Sequence, residues 1–258
     1  MISEMNFFER ILYILQSYGM SYLAGAGTTL AIAIVATIIG CLIGFAAGVV
    51  QTIPLNLDRD SKGKVFLIKA VQTFLHMYVE LFRGTPMIVQ AVFIYYGLAQ
   101  IWGIQLGMWQ AAFLVVSVNT GAYMAESVRG GIISVDPGQM EGAKSIGMNH
   151  VQSMMNVILP QAFRNILPQI GNNLIINIKD TSVLSVISIV DLFFVHKSVS
   201  GALYTYFESA SIVMLIYLTM TVSVSRLLRL FEKYLDGSDN YELANHMDIG
   251  NQMNKKRL

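Results

Sequence analysis

Six polar side chains recur through an otherwise apolar stretch: Asn165, Gln169, Asn172, Asn173, Asn177 and Asp180, at i, i+4, i+7, i+8, i+12 and i+15. At about 100° per residue they share one face of a helix. Amide and charged groups are costly in lipid, so such a face must meet protein or water. It is either hydrogen-bonding glue between helices or one wall of a solute pathway. The stripe is longer than gluing one neighbour requires, which favours the pathway. Lys179 and Asp180 are neighbours that point about 100° apart and cannot simply neutralise each other. With Thr181 and Ser182 they are expected in the outer half of the membrane. There they would meet the two charges of a zwitterion, close an outer gate or serve packing. A shorter polar series, Asn119, Tyr123 and Glu126, repeats the pattern at i, i+4 and i+7. Glu126 has Arg129 and Arg83 as candidate partners, and the favoured reading is a structural ion pair.

The elements that must position these residues are membrane helices. The chain has 258 residues, 54% hydrophobic and 13% charged, whereas a globular domain carries about a quarter charged. No charged residue occurs in 11–57 or in 84–125, and roughly 20 apolar residues span a bilayer. The expected fold is an all-α integral membrane protein with about five transmembrane helices. Residues 1–236 form a single transmembrane domain, and 237–258 a polar cytoplasmic tail. A soluble enzyme and a disordered chain are excluded. So is a nucleic-acid binder, since net charge is only +1 and no long basic tract occurs.

Spans are predicted at about 23–50, 87–102, 109–128, 166–194 and 209–228. The first is rich in Gly, Ala and Thr, which lets helices approach closely in lipid. Residues 7–18 mix aromatics with Glu9, Arg10 and Gln16 and read as an interfacial lead-in helix. The start lacks a basic n-region and is not a cleavable signal peptide. Residues 66–82 are amphipathic, either an interfacial helix or the start of a long second helix. Trp102 and Trp109 flank the short turn 103–108, as an interfacial aromatic belt would place them. With the N-terminus outside and the C-terminus cytoplasmic, thirteen Lys and Arg face inward, and only Arg10 and Lys197 face out, which satisfies the positive-inside rule. Cys41 stands alone and reads as a small core residue. The four histidines show no metal-ligand spacing.

The segment 129–164 is polar and specific. Asp136 is a good N-cap, Pro137 suits the first helical position, and Gln139 can complete a capping box. Gly147 supplies a tight turn, and a second helix runs from about Asn149 to Leu159-Pro160. The result, over about 136–160, is a two-helix cytoplasmic knob.

Glu141-Gly142-Ala143, Gly147 and Val157-Ile158-Leu159-Pro160 resemble the EAA loop of ABC importer permeases. That loop reads E-A-A, three residues, G, nine residues, I-x-L-P. Gly142 stands in place of the middle alanine and Val157 in place of the isoleucine. The stretches Glu80 to Pro86 (ELFRGTP), Ala122 to Gly131 and Lys179 to Ser182 are similar to the polar amino acid subfamily, and the likeness runs from about 23 to 233. The resemblance implies a type I importer permease. Its inner helix pair docks in a groove of a separate ATPase, and ATP-driven closure of two ATPase subunits rocks the membrane helices. An external amino-acid-binding protein delivers the solute. A second permease copy, identical or homologous, supplies the other half of the pathway, and lipid surrounds the pair. By resemblance, Glu141, Gly142, Ala143, Gly147, Leu159 and Pro160 couple to the ATPase. Asn119, Tyr123, Gln169, Asn172, Asn173, Asn177, Lys179, Asp180, Thr181 and Ser182 form the candidate pathway. Arg83, Pro86, Glu126 and Arg129 are structural. No cofactor is expected on this chain. It has no G-x-x-x-x-G-K-[ST] loop, so ATP and Mg²⁺ belong to the partner ATPase, and the chain itself is no enzyme.

The amide-rich wall suits a neutral polar amino acid, glutamine-like or sulfur-containing. Two rivals are an ion-driven secondary transporter of small solutes and a membrane-embedded enzyme. Against the first stand the absence of a visible inverted repeat and the count of five spans. Against the second stands the lack of H-E-x-x-H, G-x-S-x-G or a clustered acid pair.

Overall fold

Helix boundaries follow local capping chemistry. Asn6 opens the first helix: its side chain accepts from the Glu9 backbone N–H at 3.0 Å, and the Glu9 carboxylate accepts from the Asn6 N–H at 2.9 Å. The computed structural model describes residues 5–55 and 61–235, apart from the side chains of 232, 234 and 235. Arg59 and the polar tail 237–258 lie outside the described residues. No strand occurs among those that are described. The elements are α1 (Phe7–Gln51), α2 (Lys62–Gly84), α3 (Met87–Val92), α4 (Leu98–Trp102), α5 (Met108–Ile133), α6 (Pro137–Ser145), α7 (His150–Ser153), α8 (Leu159–Asp180), α9 (Leu192–Leu203) and α10 (Tyr206–Leu235).

α1 is one uninterrupted helix of 45 residues, about 68 Å long at 1.5 Å per residue. The expected separate lead-in helix over 7–18 does not exist. Ile14, Tyr18 and Tyr22 pack against α9 and α10, so tertiary contacts carry the helix straight through. α1 therefore serves several cores, and Ile32 and Ala36 in its middle join a further one with Ala91, Ala111 and Leu184. Its first half joins Leu192, Val195 and Val199 of α9 and Ile212 and Val213 of α10. Its second half packs on α5 and α8 through Cys41, Phe45, Met124, Val128 and Ile166. Gly40, Gly44 and Gly48 form the α1–α5 seam. A Cβ at Gly40 would lie 2.6 Å from Thr120 Cβ, and one at Gly48 would lie 2.7 Å from the Ala125 carbonyl. The small-residue spacing thus brings two backbones into direct contact. Contacts advance in the same sense along both helices, so α1 and α5 run parallel.

Three helices among the described residues are long and apolar enough to cross a membrane by length and composition: Phe7–Gln51, Lys62–Gly84 and Tyr206–Phe231. α5 and α8, which carry the polar faces, fall outside that group. The second crossing is broken rather than continuous. α2 stops at Gly84, and Pro86, which cannot continue a helix from its predecessor, opens α3. A π-turn over Phe93–Gly97 separates α3 from α4. Gly103, at φ +68°, ends α4 in the left-handed region.

The fourth span also differs from its prediction over 166–194. α8 ends at Asp180, a 3₁₀ turn covers Thr181–Ile187, and Ser188 adopts φ +65°. Asp191 then caps the separate helix α9, accepting from the Phe194 N–H at 2.9 Å. The apolar run was continuous in sequence, but the left-handed residue and the new cap split it. The third and fifth spans extend past their predicted ends, to 108–133 and 206–235.

Candidate functional site

The polar stripe of α8 divides into two functions. Asn177 Nδ2 donates to Thr37 Oγ1 at 2.7 Å and to Thr120 Oγ1 at 2.9 Å. It is 4% exposed and ties α8 to α1 and α5. Asn173, also buried, donates to Met124 Sδ at 3.2 Å and to the Gln169 carbonyl at 2.9 Å. Asn165 donates to Ser134 Oγ at 3.0 Å. These three are interhelical ties. Gln169, Asn172, Lys179 and Asp180 remain exposed, and they occupy the adjoining sector of the same helix. Thr181 is buried and donates to the Ile178 carbonyl, while Ser182 is half-buried.

Asn177 lies level with Thr120, twelve residues into the 26-residue α5. Asp180 is one turn beyond, toward the start of α5. α8 begins at Leu159, seven residues before the predicted start of the span.

Asn119 is turned away from the exposed face. Its Nδ2 donates to the Phe82 carbonyl at 3.2 Å and to Gln90 Oε1 at 3.0 Å. Gln90 Nε2 in turn donates to the carbonyls of Phe82 and Thr85, each at 2.9 Å. A helix broken inside a bilayer leaves carbonyls without partners, and each costs several kcal/mol if unsatisfied. Asn119 and Gln90 meet that demand at the α2–α3 joint. Sequence reasoning missed Gln90. Its signal was a glutamine four residues after Pro86 in an uncharged run.

Beside this joint, Arg83 and Glu126 face each other at 3.9 Å. Glu126 also accepts a short hydrogen bond from Arg129 on its own helix. The Arg83 guanidinium lies over the Tyr123 ring, 5.5 Å from its centroid, a cation–π arrangement. Tyr123 itself is exposed. The face left open therefore comprises Arg83, Tyr123, Gln169, Asn172, Lys179 and Asp180, in part uncharged polar and in part charged. Among the described residues no three His, Cys, Asp or Glu side chains gather as metal ligands.

The knob at the other end is built by its caps. Asp136 accepts from the Gly138 N–H at 2.6 Å, with Pro137 in the first turn of α6. Gln139 does not complete a capping box. Its Oε1 instead accepts from Gln161 Nε2 at 3.2 Å, which ties α6 to the start of α8. Gly147, at φ +88°, closes α6. Met148 N–H donates to the Ala143 carbonyl at 3.1 Å and Gly147 N–H to Lys144 at 3.0 Å, the Schellman arrangement. Asn149 and Gln152 form a reciprocal capping box for α7. A π-turn at Met154–Ile158 leads into α8, whose first turn holds Pro160. Ala143 is buried, Leu159 lies in the same core as Met140, and Glu141 and Gly142 are exposed. Ile146 and Val151 also stand exposed, 74% and 67%. An apolar, capped surface is thus presented at the end of the bundle where α1 ends and α8 begins.

An all-helical membrane bundle with a capped two-helix loop between its third and fourth crossings defines the permease class of ABC importers. The chain belongs to the family described as binding-protein-dependent transport system inner membrane component, whose model matches residues 65–237. It is similar to the nopaline transport system permease protein NocM of Agrobacterium fabrum, 35% identical over 83% of this chain and 87% of that protein. It is also similar to the arginine transport system permease protein ArtQ of Bacillus subtilis, 34% identical over 84% of this chain and 93% of that protein. A crystal structure of an amino acid ABC transporter with histidines matches at TM-score 0.76 and 35% identity, covering 88% of this chain and 98% of that one. The chain is an amino acid ABC transport permease.

Proposed function

We propose that this chain is one half of the membrane pathway of an ATP-driven amino acid importer. It works beside a second permease copy, two ATPase subunits and an external binding protein. The observation that carries the reading is the open polar face of α5 and α8. Polar groups do not face lipid without cost, and a single protomer leaves this face uncovered, so a second copy and the solute are its natural neighbours. Glu141, Gly142, Ala143, Gly147, Leu159 and Pro160 couple to the ATPase through the knob. ATP and Mg²⁺ bind the ATPase, not this chain. The N-terminus lies outside and the C-terminus inside, a reading supported by the basic bias.

For the solute, Gln169 and Asn172 support a zwitterion with a neutral polar side chain, recognised by hydrogen bonds. A second reading, a basic or guanidino side chain, is favoured by the names of NocM and ArtQ and by the exposed Asp180. Competition between labelled glutamine and arginine in reconstituted vesicles separates the two. Preference for arginine sinks the neutral reading.

The test of the main proposal is purification of the tagged chain from its native membrane in mild detergent, beside the Gly147→Asp variant. A P-loop ATPase should accompany the normal chain and be lost from the variant. An ATPase retained equally by both would remove the docking role from the Gly147 turn. Uptake that follows an ion gradient instead of ATP would remove the importer reading.

A further inference from the structure

A chain of hydrogen bonds runs through the core that joins α1, α9 and α10. Tyr22 of α1 and Ser209 of α10 share one at 2.6 Å between their hydroxyl oxygens. Ser209 Oγ and His196 Nδ1 of α9 share the next, at 2.9 Å. Tyr22, His196 and Ser209 are all buried, at 1%, 2% and 0% exposure. The rings of Phe193 and Tyr206 flank the imidazole, with centroids 5.5 Å and 5.0 Å away. None of these residues takes part in the open face or the knob.

The direction of the chain depends on the charge of His196. A neutral imidazole can accept at Nδ1, so Tyr22 donates to Ser209 and Ser209 donates to His196. An imidazolium only donates. Ser209 must then turn its proton toward Tyr22, whose own proton loses its acceptor, since Tyr22 has no other hydrogen-bond partner among the described residues. Leaving a buried donor unpaired is costly, and burial also penalises the new charge. Among the described residues no carboxylate pairs with the ring to offset this. Glu208, beside Ser209, is held by Arg10 of α1 at 3.1 Å. Glu9 caps α1. Asp191 accepts from the Phe193 and Phe194 N–H groups as the cap of α9. Tyr18 of α1, Tyr217 of α10 and Lys197 of α9 bring no negative charge.

α9 is also tied to the open face by sequence. Asp180 ends α8, the 3₁₀ turn Thr181–Ile187 follows, and left-handed Ser188 leads to the Asp191 cap. We infer that Tyr22, Ser209 and His196 form an acid-sensitive latch on α9: neutral His196 closes it, and protonation opens it and loosens the turn that follows Lys179 and Asp180. The closed form is complete above the ordinary histidine value of about 6.5 and is lost as pH falls below it. The latch needs no assumption about transport. That acid reaches it from outside, and that its opening lowers uptake, rests on the importer and topology proposed above.

The test uses the full permease–ATPase complex in a neutral detergent, as wild type and as His196→Asn, whose amide reaches the place of Nδ1 without titrating. Amide hydrogen exchange of residues 192–203 is followed by mass spectrometry from about pH 7 to about pH 5, the range in which histidine changes charge. Rates are corrected for the intrinsic pH dependence of exchange, and residues 111–125 of α5 serve as reference. In wild type, opening of α9 should rise as pH falls, by up to about tenfold per pH unit, the limit for one proton, with α5 unchanged. His196→Asn should show no such rise. Flat exchange of α9 in wild type overturns the latch without recourse to a variant. A rise that persists in His196→Asn also overturns it and transfers the response to the Asp191 cap. In reconstituted vesicles, acidifying the outside should cut uptake severalfold in wild type and spare His196→Asn; equal loss in both overturns the regulatory role. Because exchange is read without transport, failure of the importer reading leaves the first arm intact.

Discussion

Replacing Gly44 by alanine tests the glycine seam between α1 and α5. The new Cβ would stand 2.8 Å from the Ala125 nitrogen and from the Gly121 carbonyl. Those are backbone atoms, so no side chain can swing away. Met124 Cβ, fixed to its own backbone, would stand closer still at 2.3 Å; ordinary contact begins near 3.4 Å, leaving a shortfall of roughly half an ångström to one ångström that only helix separation can relieve. A gap of that size forfeits about a quarter or more of each close contact's attraction, and overpacking of this kind costs roughly 1–3 kcal/mol. Alanine's better helix propensity returns about 1 kcal/mol. The approach to Met124 Cβ puts the cost in the upper part of that range, so the net expectation is a loss of roughly 1–2 kcal/mol. Gly27→Ala is the matched control, because nothing lies within 4 Å of its added carbon. It should be neutral or slightly stabilising. The assay is thermal unfolding of the detergent-solubilised permease–ATPase complex, followed by size-exclusion chromatography after heating. Gly44→Ala should melt several degrees below wild type, and Gly27→Ala at or above it. Equal melting of the two variants would refute the claim that backbone contact, rather than glycine content, holds this seam.

Asn177→Ala should cost about 0.5–2 kcal/mol by removing ties to both Thr37 and Thr120; Gln169→Ala, on the exposed sector, should leave the melting temperature unchanged but reduce uptake. A reversed pattern of melting would undo the division of the stripe into ties and open face. Gly147→Ala must place a Cβ at φ +88°, costing about 1–2 kcal/mol, and should weaken solute-stimulated ATP hydrolysis. Gly142→Ala meets nothing within 4 Å and should keep full stimulation, so equal losses in both would argue against the turn as the sensitive point. A reporter fused at residue 1 should read as external and one fused after residue 258 as cytoplasmic; the opposite pair of signals would invert the topology.

Much of the architecture was legible because composition constrains a membrane chain so tightly. Uncharged runs marked the crossings, and Asp136, Pro137, Gly147 and Asn149 marked the knob by capping chemistry that needs no tertiary partner. The losses came where tertiary contact decides. The polarity of 7–18 suggested a separate surface helix, yet Tyr22 bonds to Ser209 at 2.6 Å and Arg10 to Glu208, which fastens that stretch to α10 and keeps it straight. The break after Asp180 depends on Ser188 entering a left-handed conformation, which serine rarely signals. Periodicity placed the α8 amides on one face correctly but could not tell which edge of that face meets α1 and α5. Asn119 illustrates the same limit: its spacing from Tyr123 is real, yet it turns inward because the broken joint at Pro86 needs a donor there. Gln139 was offered two partners by sequence and by fold, and the distant one, Gln161, prevailed.

The 45-residue span of α1 has a mechanical corollary. Several cores are threaded on one unbroken shaft, among them the α9–α10 core on its first half and the α5–α8 core on its second. Sliding of either along the shaft would strip interlocked side chains, and bending would break a continuous ladder of hydrogen bonds. The cheapest relative motion left is torsion, with α1 as the axle and the short Ser188–Asp191 connection as the slack.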